Sequence, residues 1–442
     1  MRKILAIIIN KLIRVIGNYF GRGSSFPGKI ALKICPDILS RIRLPEYVIA
    51  VTGSNGKTST AEMIAHILEK SGKSVAYNHE GSNQIEGVTT LILDNSTLFG
   101  RFKKDYLVIE TDERYTKYIF RYFAPTHYVI TNLYRDQMTR NGHPEFVLKD
   151  IEKSIRRESR LIVNADDPLV SSMAKRSGNI VTWFGIDDNA YVSEKCDSVY
   201  DDGYYCPICG NKMIYSYRQF AHVGNYHCTS CDFQRENPDY AITDINLEKG
   251  SIRINSQYQL DLAFSAIYNA YNVLAAFSVT SLLGINEEMI VQILNHYLIT
   301  NGRFRRFVLG SKQGTLLISK HENSISYNRN LKYIADSGKD ISLLIIIDDI
   351  SRKYFTSDTS WIWDIDFEIL KKKNIKDVII AGKYIYDVAS RLRYSGIDMN
   401  KVVLRRNVDT AVAYMRYKTT GELYVLTCFS DVAKFLKEVS VE

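Results

Sequence analysis

Residues 47–60, Tyr-Val-Ile-Ala-Val-Thr-Gly-Ser-Asn-Gly-Lys-Thr-Ser-Thr, constrain the fold of this chain more than any other stretch. An apolar, β-branched run enters a glycine turn, and the turn delivers Lys57-Thr58 onto a helix-forming segment, Ala61 to Lys70. Strand, glycine loop, Lys-Thr and helix in that order form a cradle for a nucleoside triphosphate. Backbone N–H groups along Gly53, Ser54, Asn55, Gly56 and on to Ser59 would face the phosphates, at the positive end of the following helix. Lys57 would neutralise the β- and γ-phosphate oxygens, and the Thr58 hydroxyl would ligate Mg²⁺. The common phosphate loop sets its glycines further apart than Gly53 and Gly56, so the match is to the architecture rather than to the full pattern. The competing reading is an ordinary strand-turn-helix corner.

The rest of the chain suits an α/β protein. Strands are expected at 47–52, 74–78, 106–110, 127–131, 160–163 and 180–184, with helices at 58–71, 115–122, 144–157 and 168–176. That alternation predicts a parallel sheet covered on both faces. β-like runs follow at 240–262 and helices at 268–283 and 286–297. Beyond Thr300-Asn301-Gly302-Arg303 the alternation resumes, with strands at 315–319, 341–347, 376–381, 401–404 and 423–427. Helices are expected there at 327–337, 365–372, 384–395, 408–416 and 430–438. The expected organisation is a helical segment 1–45, a nucleotide-binding domain 46–300 and a smaller C-terminal α/β domain 301–442.

The first domain is interrupted at 201–236, where Cys206-Pro-Ile-Cys209 and Cys228-Thr-Ser-Cys231 repeat one knuckle. Two CxxC turns at this separation match a zinc ribbon, in which four thiolates close a tetrahedron and leave no open coordination position. So small a module needs the metal to fold. Tyr204, Tyr205, Tyr215, Tyr217 and Phe220 are candidates for its apolar shell, and His222 and His227 read as packing or surface residues. Redox use of the pairs is the second reading. Cys35, Cys196 and Cys428 read as isolated free thiols of a reducing, cytoplasmic setting.

A formal charge of +8 fits anionic ligands such as nucleotides, or an acidic membrane surface, and no basic-aromatic block suggests RNA binding. Ile4 to Ile16 is apolar with Lys3, Lys11 and Arg14 interspersed, too short and too charged to span a bilayer. Ile4, Ile7, Ile8, Leu12, Val15 and Ile16 fall near one helical face. They read either as a helix packed on its own domain or as a basic amphipathic helix resting on the inner face of the membrane.

Acidic and amide groups cluster just after the expected strands. Glu110, Asp112 and Glu113 follow Tyr106–Ile109, and Glu110 is the natural partner of Thr58 in a Mg²⁺ shell. Thr131–Gln137 and Asn164-Ala165-Asp166-Asp167-Pro168 follow two further strands, and the three loops could share one site. Asn269 and Asn272 share one face at a helix start, where they could read an adenine edge or cap the helix. Asp358-Thr-Ser-Trp-Ile-Trp-Asp364 sets two tryptophans between acids, as an interface, a site or a structural pair.

Taken together, these segments resemble a known family. Thr52–Thr58, Asn164–Pro168, Asn269–Ala276 and Gly302-Arg303 look like Mur ligases. The cysteine ribbon and Asp358–Asp364 narrow the resemblance to the Mur-ligase-like subunit of lipid II isoglutaminyl synthase, the MurT family. Gly21–Leu39, Asn78–Ile92 and Thr131–Met138 fit the same family, so the likeness spans the chain. It implies a Mur-ligase central domain with an inserted Cys₄ ribbon, and an enzyme of peptidoglycan synthesis with ATP, Mg²⁺ and Zn²⁺ as cofactors. The implied reaction activates the α-carboxylate of D-glutamate in lipid II as an acyl phosphate. Ammonia from a separate class-I glutaminase, GatD-like, then yields D-isoglutamine, the two proteins acting as a heterodimer.

By the same resemblance Lys57 and Glu110 act in catalysis and Arg303 contacts phosphate. Asn269 and Asn272 position adenine, and Asp358 completes the partner's Cys–His pair. Two stretches depart from the family. Ser319-Lys320-His321-Glu322-Asn323 stands where an Ala-Lys-Asn-Pro-Ala-Gly-like turn is usual, and Asp348–Ser357 replaces an Asn-Asp…Ala-Asp-Gly loop. Alternative readings are a Mur ligase adding an amino acid, an amidoligase acting on another glutamyl substrate, and a scaffold that binds nucleotide without turnover.

Overall fold

Apolar runs bounded by glycine and polar turns become the central strands of two sheets. The computed structural model describes residues 1–19, 23–78, 82–196, 198–262, 266–297, 304–349 and 358–441. It divides into one unit of Met1–Tyr134, Pro144–Asp197 and Asp201–Ile299 and a second of Arg135–His143, Ser198–Tyr200 and Thr300–Glu442.

The first unit begins α1 (Arg2–Tyr19), α2 (Phe26–Ile34), β1 (Tyr47–Thr52), α3 (Lys57–Lys70), β2 (Val75–Tyr77), α4 (Ile85–Asp94), β3 (Tyr106–Glu110), α5 (Thr116–Ile119) and β4 (His127–Ile130). Helix α6 (Met138–Asn141) falls in the second unit. The first then continues with α7 (Pro144–Glu152), β5 (Arg160–Asn164), α8 (Pro168–Ser177) and β6 (Val181–Ile186). A hairpin of β7 (Met213–Phe220) and β8 (Val223–Cys228) precedes β9 (Tyr240–Asn246), β10 (Ser251–Ile254), β11 (Tyr258–Asp261), α9 (Ile267–Leu282) and α10 (Glu287–Asn295).

Nine strands form one sheet in the order β11-β10-β9-β6-β5-β4-β1-β3-β2. β1 runs parallel to both β3 and β4, and the strand order reverses there. Such a switch point opens a crevice beyond the carboxyl ends of the strands, where ligands of open α/β sheets bind. β1 and β3 are buried almost throughout because helices cover both faces, so their sequences are continuous apolar runs rather than alternating ones. β10 pairs antiparallel to both β9 and β11, so this end of an otherwise parallel sheet is an antiparallel edge.

α2 falls within the expected helical segment 1–45, whereas α4 has no counterpart among the expected elements. Val88 to Leu93 of α4 is an uncharged, largely β-branched run buried on nearly every side, so it lacks the exposed polar face that marks a surface helix. The expected helix 115–122 is a single turn, α5, ended by a loop that leads into Pro125. α1 packs on α2 and α4. Ala6, Ile7 and Asn10 are buried, whereas Ile4, Ile8, Leu12, Val15 and Ile16 remain exposed, so Ile7 does not share a face with the others as expected.

The second unit carries β12 (Phe304–Leu309), β13 (Lys312–Ser319), α11 (Ser324–Ala335), β14 (Ile341–Ile346), β15 (Ile375–Ala381), α12 (Ile385–Tyr394), β16 (Val402–Arg405), α13 (Val408–Lys418), β17 (Glu422–Cys428), α14 (Val432–Leu436) and β18 (Ser440–Val441). Its sheet runs β16-β15-β14-β17-β13-β12-β18, parallel from β16 to β13. The expected helix 365–372 is a 3₁₀ turn, Phe367–Lys371, with Phe367 and Leu370 in the core. The fully buried Arg391 guanidinium is held there by both oxygens of Glu368 (2.9 Å each) and the Ile365 carbonyl (2.7 Å).

Residues 135–143 close against the turn after β13. The buried Asp136 carboxylate pairs with the Lys320 ammonium and accepts from Asn323 Nδ2 at 3.0 Å, while Gln137 N–H donates to the Glu322 carbonyl at 2.8 Å. The unusual Lys320-His321-Glu322-Asn323 turn is thus the partner of a segment that leaves the first sheet after β4.

Candidate functional site

The loop between β1 and α3 is built from backbone conformations that only glycine enters cheaply. Gly53 has φ +133° and Gly56 φ +85°. Neither has room for a side chain. A Cβ on Gly53 would lie 2.3 Å from Thr131 Oγ1, and one on Gly56 2.1 Å from Asn272 Oδ1. The strand end of β4 braces the loop from behind. Ser54 N–H donates to the Asn132 carbonyl (2.8 Å), Asn55 N–H to Asn132 Oδ1 (2.9 Å), and Thr131 Oγ1 to the Asn55 carbonyl (2.7 Å). Ser54 Oγ accepts from Tyr134 N–H at 2.9 Å. Gly53 to Ser59 therefore form one fixed turn at the N-terminus of a 14-residue helix, a ready-made anion site.

Lys57 is buried in that turn. Its Nζ reaches the Gly53 carbonyl at 2.5 Å and Glu113 Oε2 at 2.9 Å. Sequence alone gives Glu113 no defined role; in the structure it is the countercharge of Lys57, and both side chains are at least nine-tenths buried. Thr58 is exposed at the first turn of α3, free of the enclosure around Lys57.

Glu110 ends β3, 3% exposed. Asn83 Nδ2 donates to its Oε1 at 3.2 Å, and its Oε2 is buried with no hydrogen-bond donor among the described residues. A buried carboxylate oxygen without a donor is costly unless a cation takes it. Tyr77 connects the two ligand candidates. Its hydroxyl donates to the Thr58 carbonyl at 3.4 Å, and burial followed by the Glu110 charge pushes its phenol far up. Thr58 and Glu110 thus fit a hard divalent ion by donor chemistry and by neighbourhood.

α9 packs against α3 and brings its first turns to the loop. Asn269 and Asn272 are both buried, and Asn272 abuts Gly56. Arg303, the expected phosphate contact, lies outside the described residues, as do 350–357 of the divergent loop.

The acid-rich loop after β5 serves support rather than an open site. Asp167 caps α8 through Leu169 and Val170 N–H (2.9 and 3.2 Å) and accepts from Leu133 N–H at 2.7 Å. Asp166 is fully buried and accepts from Arg235 Nε (2.6 Å), Tyr271 OH (2.5 Å) and Ile186 N–H (2.8 Å). Burial pushes its carboxyl above the usual range, against the pull of Arg235. The sequence offers no cue for Arg235 or Tyr271, because partners this distant leave no local pattern.

The four cysteines of the insertion converge. All four Sγ atoms lie within 4.8 Å of one another, with Cys206–Cys231 at 3.8 Å and Cys209–Cys228 at 3.4 Å. Zn–S bonds of about 2.3 Å in a tetrahedron set sulfurs about 3.8 Å apart, so the set fits zinc. Ile208 N–H points at Cys206 Sγ and Ser230 N–H at Cys228 Sγ, both at 3.4 Å, and Asn211 holds the Cys209 thiol down to about 6. Gly210 turns the first knuckle at φ +75°. The apolar shell differs from expectation. Met213, Tyr215, Tyr226 and Phe233 form it, whereas Tyr204 and Tyr205 are exposed because they precede the hairpin.

The hairpin is fastened to the sheet. Gly224 N–H donates to the Asp166 carbonyl (2.9 Å), Tyr226 OH to that of Ala165 (3.0 Å) and Tyr217 OH to that of Ile186 (3.1 Å). At its tip the buried His222 sits 3.7 Å from Asp167 and 5.3 Å, ring to ring, from Tyr134. Burial opposes its protonation, but Asp167 outweighs burial and raises the pKa. His227 is exposed.

Asp358 lies in the second unit. It is exposed, and its Oδ1 accepts from Ser360 N–H at 2.8 Å, starting the 3₁₀ turn Ser360–Asp364. The tryptophan pair divides its labour. Trp361 is buried against Tyr327 with ring centroids 5.4 Å apart, while Trp363 is 40% exposed beside the exposed Tyr394.

Residues 51–280 match the Mur ligase middle domain, and residues 321–432 match the MurT ligase C-terminal domain. Among solved structures, a pseudomurein peptide ligase type C from Methanothermus fervidus is similar at a TM-score of 0.69 and 21% identity, over 91% of this chain and 80% of that one. MurF from Acinetobacter baumannii aligns at a TM-score of 0.64 and 15% identity, over 93% and 80%. MurF ligase from Thermotoga maritima, solved in complex with ADP, aligns at 0.57 and 14%, over 93% and 83%. These establish the fold. In sequence, the lipid II isoglutaminyl synthase (glutamine-hydrolysing) subunit MurT of Staphylococcus aureus (strain COL) is 31% identical over 100% of this chain and 98% of its own length. Its counterpart from Streptococcus pneumoniae (strain ATCC BAA-255 / R6) is 28% identical over 98% and 96%. End-to-end identity at this level, on a Mur ligase fold with a phosphate loop and a four-cysteine insertion, makes this chain a member of the MurT family of lipid II isoglutaminyl synthase subunits.

Proposed function

We propose that this chain is the ATP-consuming subunit of a two-protein amidotransferase. It transfers the γ-phosphoryl group of ATP to the α-carboxylate of D-glutamate in the lipid II stem peptide. Ammonia then displaces phosphate from the acyl phosphate and leaves D-isoglutamine. The observation that carries this reading is the relationship to named MurT subunits across the full length of the chain.

In this reading the work divides as follows. The amides of Gly53 to Ser59 hold the phosphate chain. Lys57, released from Glu113 by the arriving anion, neutralises charge on the transferring group. Thr58 and Glu110 would hold Mg²⁺, which supplies Lewis-acid neutralisation of the phosphate oxygens. Asn272, against Gly56, and Asn269 set the nucleoside. The Cys206, Cys209, Cys228 and Cys231 thiolates hold structural zinc.

Ammonia comes from a GatD-like class-I glutaminase. Asp358, exposed at the start of the turn that carries the half-exposed Trp363, orients a histidine of that partner. The reaction takes place at the cytoplasmic face of the membrane, where the lipid-linked acceptor resides; no helix among the described residues is long and apolar enough to cross it.

The test is reconstitution with a GatD-like glutaminase, lipid II, glutamine and Mg·ATP, with mass spectrometry of the stem peptide. Conversion of one carboxyl to an amide is expected, and Asp358→Asn should abolish glutamine-driven but not ammonia-driven product. ADP release that requires an amino acid and no glutaminase would replace this reading with an amino-acid-adding ligase.

A further inference from the structure

Helix α1 presents an apolar stripe to the outside. Ala6, Ile7 and Asn10 face the domain, while Ile4, Leu5, Ile8, Leu12, Val15 and Ile16 are 37% to 64% exposed. At about 100° per residue these six positions fall in an arc of about 120°, opposite the packed side. No charged residue falls within that arc. A helix that needed only to cover its own domain would turn polar groups outward.

The surroundings are cationic. The first 36 residues contain seven basic residues and no acid. Lys11 borders the stripe, and burial, then the charge of Lys103, lowers its pKa despite Asp94. Lys3 Nζ donates to the carbonyl of the exposed Phe99 at 2.8 Å, which ties α1 to the loop that carries Arg101, Lys103 and Lys104. Those three line a cleft of about 460 Å³ with Arg43 and Lys73, against only Glu46 and Asp105.

An apolar stripe with a basic border is complementary to a bilayer that carries anionic headgroups. A second copy would bring the same cations against one another, which disfavours self-association through this face. With four basic residues in 18, α1 is not a spanning helix. We propose that the outer face of α1 docks this chain on an anionic lipid surface. The stripe lies at the acyl-chain boundary, and Lys11, Lys103 and their neighbours lie among the headgroups. The inference stands apart from the amidation reading, since it requires no particular acceptor.

The test is flotation of the full chain with vesicles of phosphatidylglycerol and phosphatidylcholine, against phosphatidylcholine alone. Partition should be at least tenfold higher on the anionic vesicles and should fall with salt. Ile8→Glu/Val15→Glu should lower it at least tenfold, and Lys103→Gln about fivefold, the usual worth of one cation near such a surface. A Val15→Cys variant carrying an environment-sensitive fluorophore should shift to the blue on anionic vesicles, while the same label at Tyr417→Cys, 74% exposed in the other unit, should not. The label reads burial even if the double variant melts early. Absence of flotation, an unshifted Val15 label, or a concentration-dependent dimer abolished by the glutamates with vesicle binding unchanged would each overturn the proposal.

Discussion

Replacing Gly56 with alanine tests whether the phosphate loop is held by the contact between α9 and α3. Gly56 sits at φ +85°, ψ −10°, where a side chain costs about 1–2 kcal/mol. The new Cβ would lie 2.1 Å from Asn272 Oδ1, about 1.3 Å short of ordinary contact. Forcing the amide off its rotamer adds about 0.5–1.5 kcal/mol, for a total of about 1.5–3.5 kcal/mol. In a unit of this size that is a fall in melting temperature of about 3–6 °C by scanning calorimetry. Displacing the loop amides by part of an ångström should also weaken Mg·ATP by at least about tenfold in titration calorimetry. Adding Asn272→Ala should recover the rotamer share, about 1 kcal/mol, and leave the backbone share. A Gly56→Ala protein that melts within a degree of the parent and binds Mg·ATP unchanged would refute the argument.

Three further outcomes follow from the described geometry. Glu110→Gln replaces the donorless Oε2 or its neighbour with an amide and should weaken nucleotide binding about tenfold or more with Mg²⁺ present, leaving binding in chelator unchanged. Cys206→Ser should reduce bound zinc, measured by elemental analysis, from one per chain to none and lower the melting temperature, because three thiolates do not close the tetrahedron. Burial works against the Glu368 charge, but the Arg391 fork wins and holds the carboxyl down at about 2 from an ordinary 4.5. Its contribution is therefore present above pH 4.5 and lost as the pH falls toward 2, so Glu368→Gln should flatten acid unfolding of the second unit in that window.

The sequence exposed whatever is local. Val48 to Val51 and Leu107 to Ile109 are uninterrupted apolar runs, so their strands could be placed almost to the residue. Two CxxC knuckles announce a tetrahedron because each supplies two thiolates within one turn. Asn269 and Asn272 could be put on one helix face by spacing alone. Long-range partners were illegible. Glu113 is as acidic as Asp112 in sequence, and only the fold brings it to Lys57. Asp166 looked like part of an open acidic site, but Arg235, 69 positions away, and Tyr271, 105 positions away, enclose it. Burial on nearly every side concealed α4, and the outward stripe of α1 was readable as apolar without its direction.

The excursion of residues 135–143 into the second unit has a practical and an evolutionary consequence. No single scission separates the two units cleanly. A fragment expressed from residue 304 onward would leave Lys320 and Asn323 facing the void where Asp136 belongs, and the Glu322 carbonyl without its amide. Swapping C-terminal halves between homologues therefore demands that the short excursion travel with its host, so recombination within this lineage is expected to respect paired, not single, crossover points.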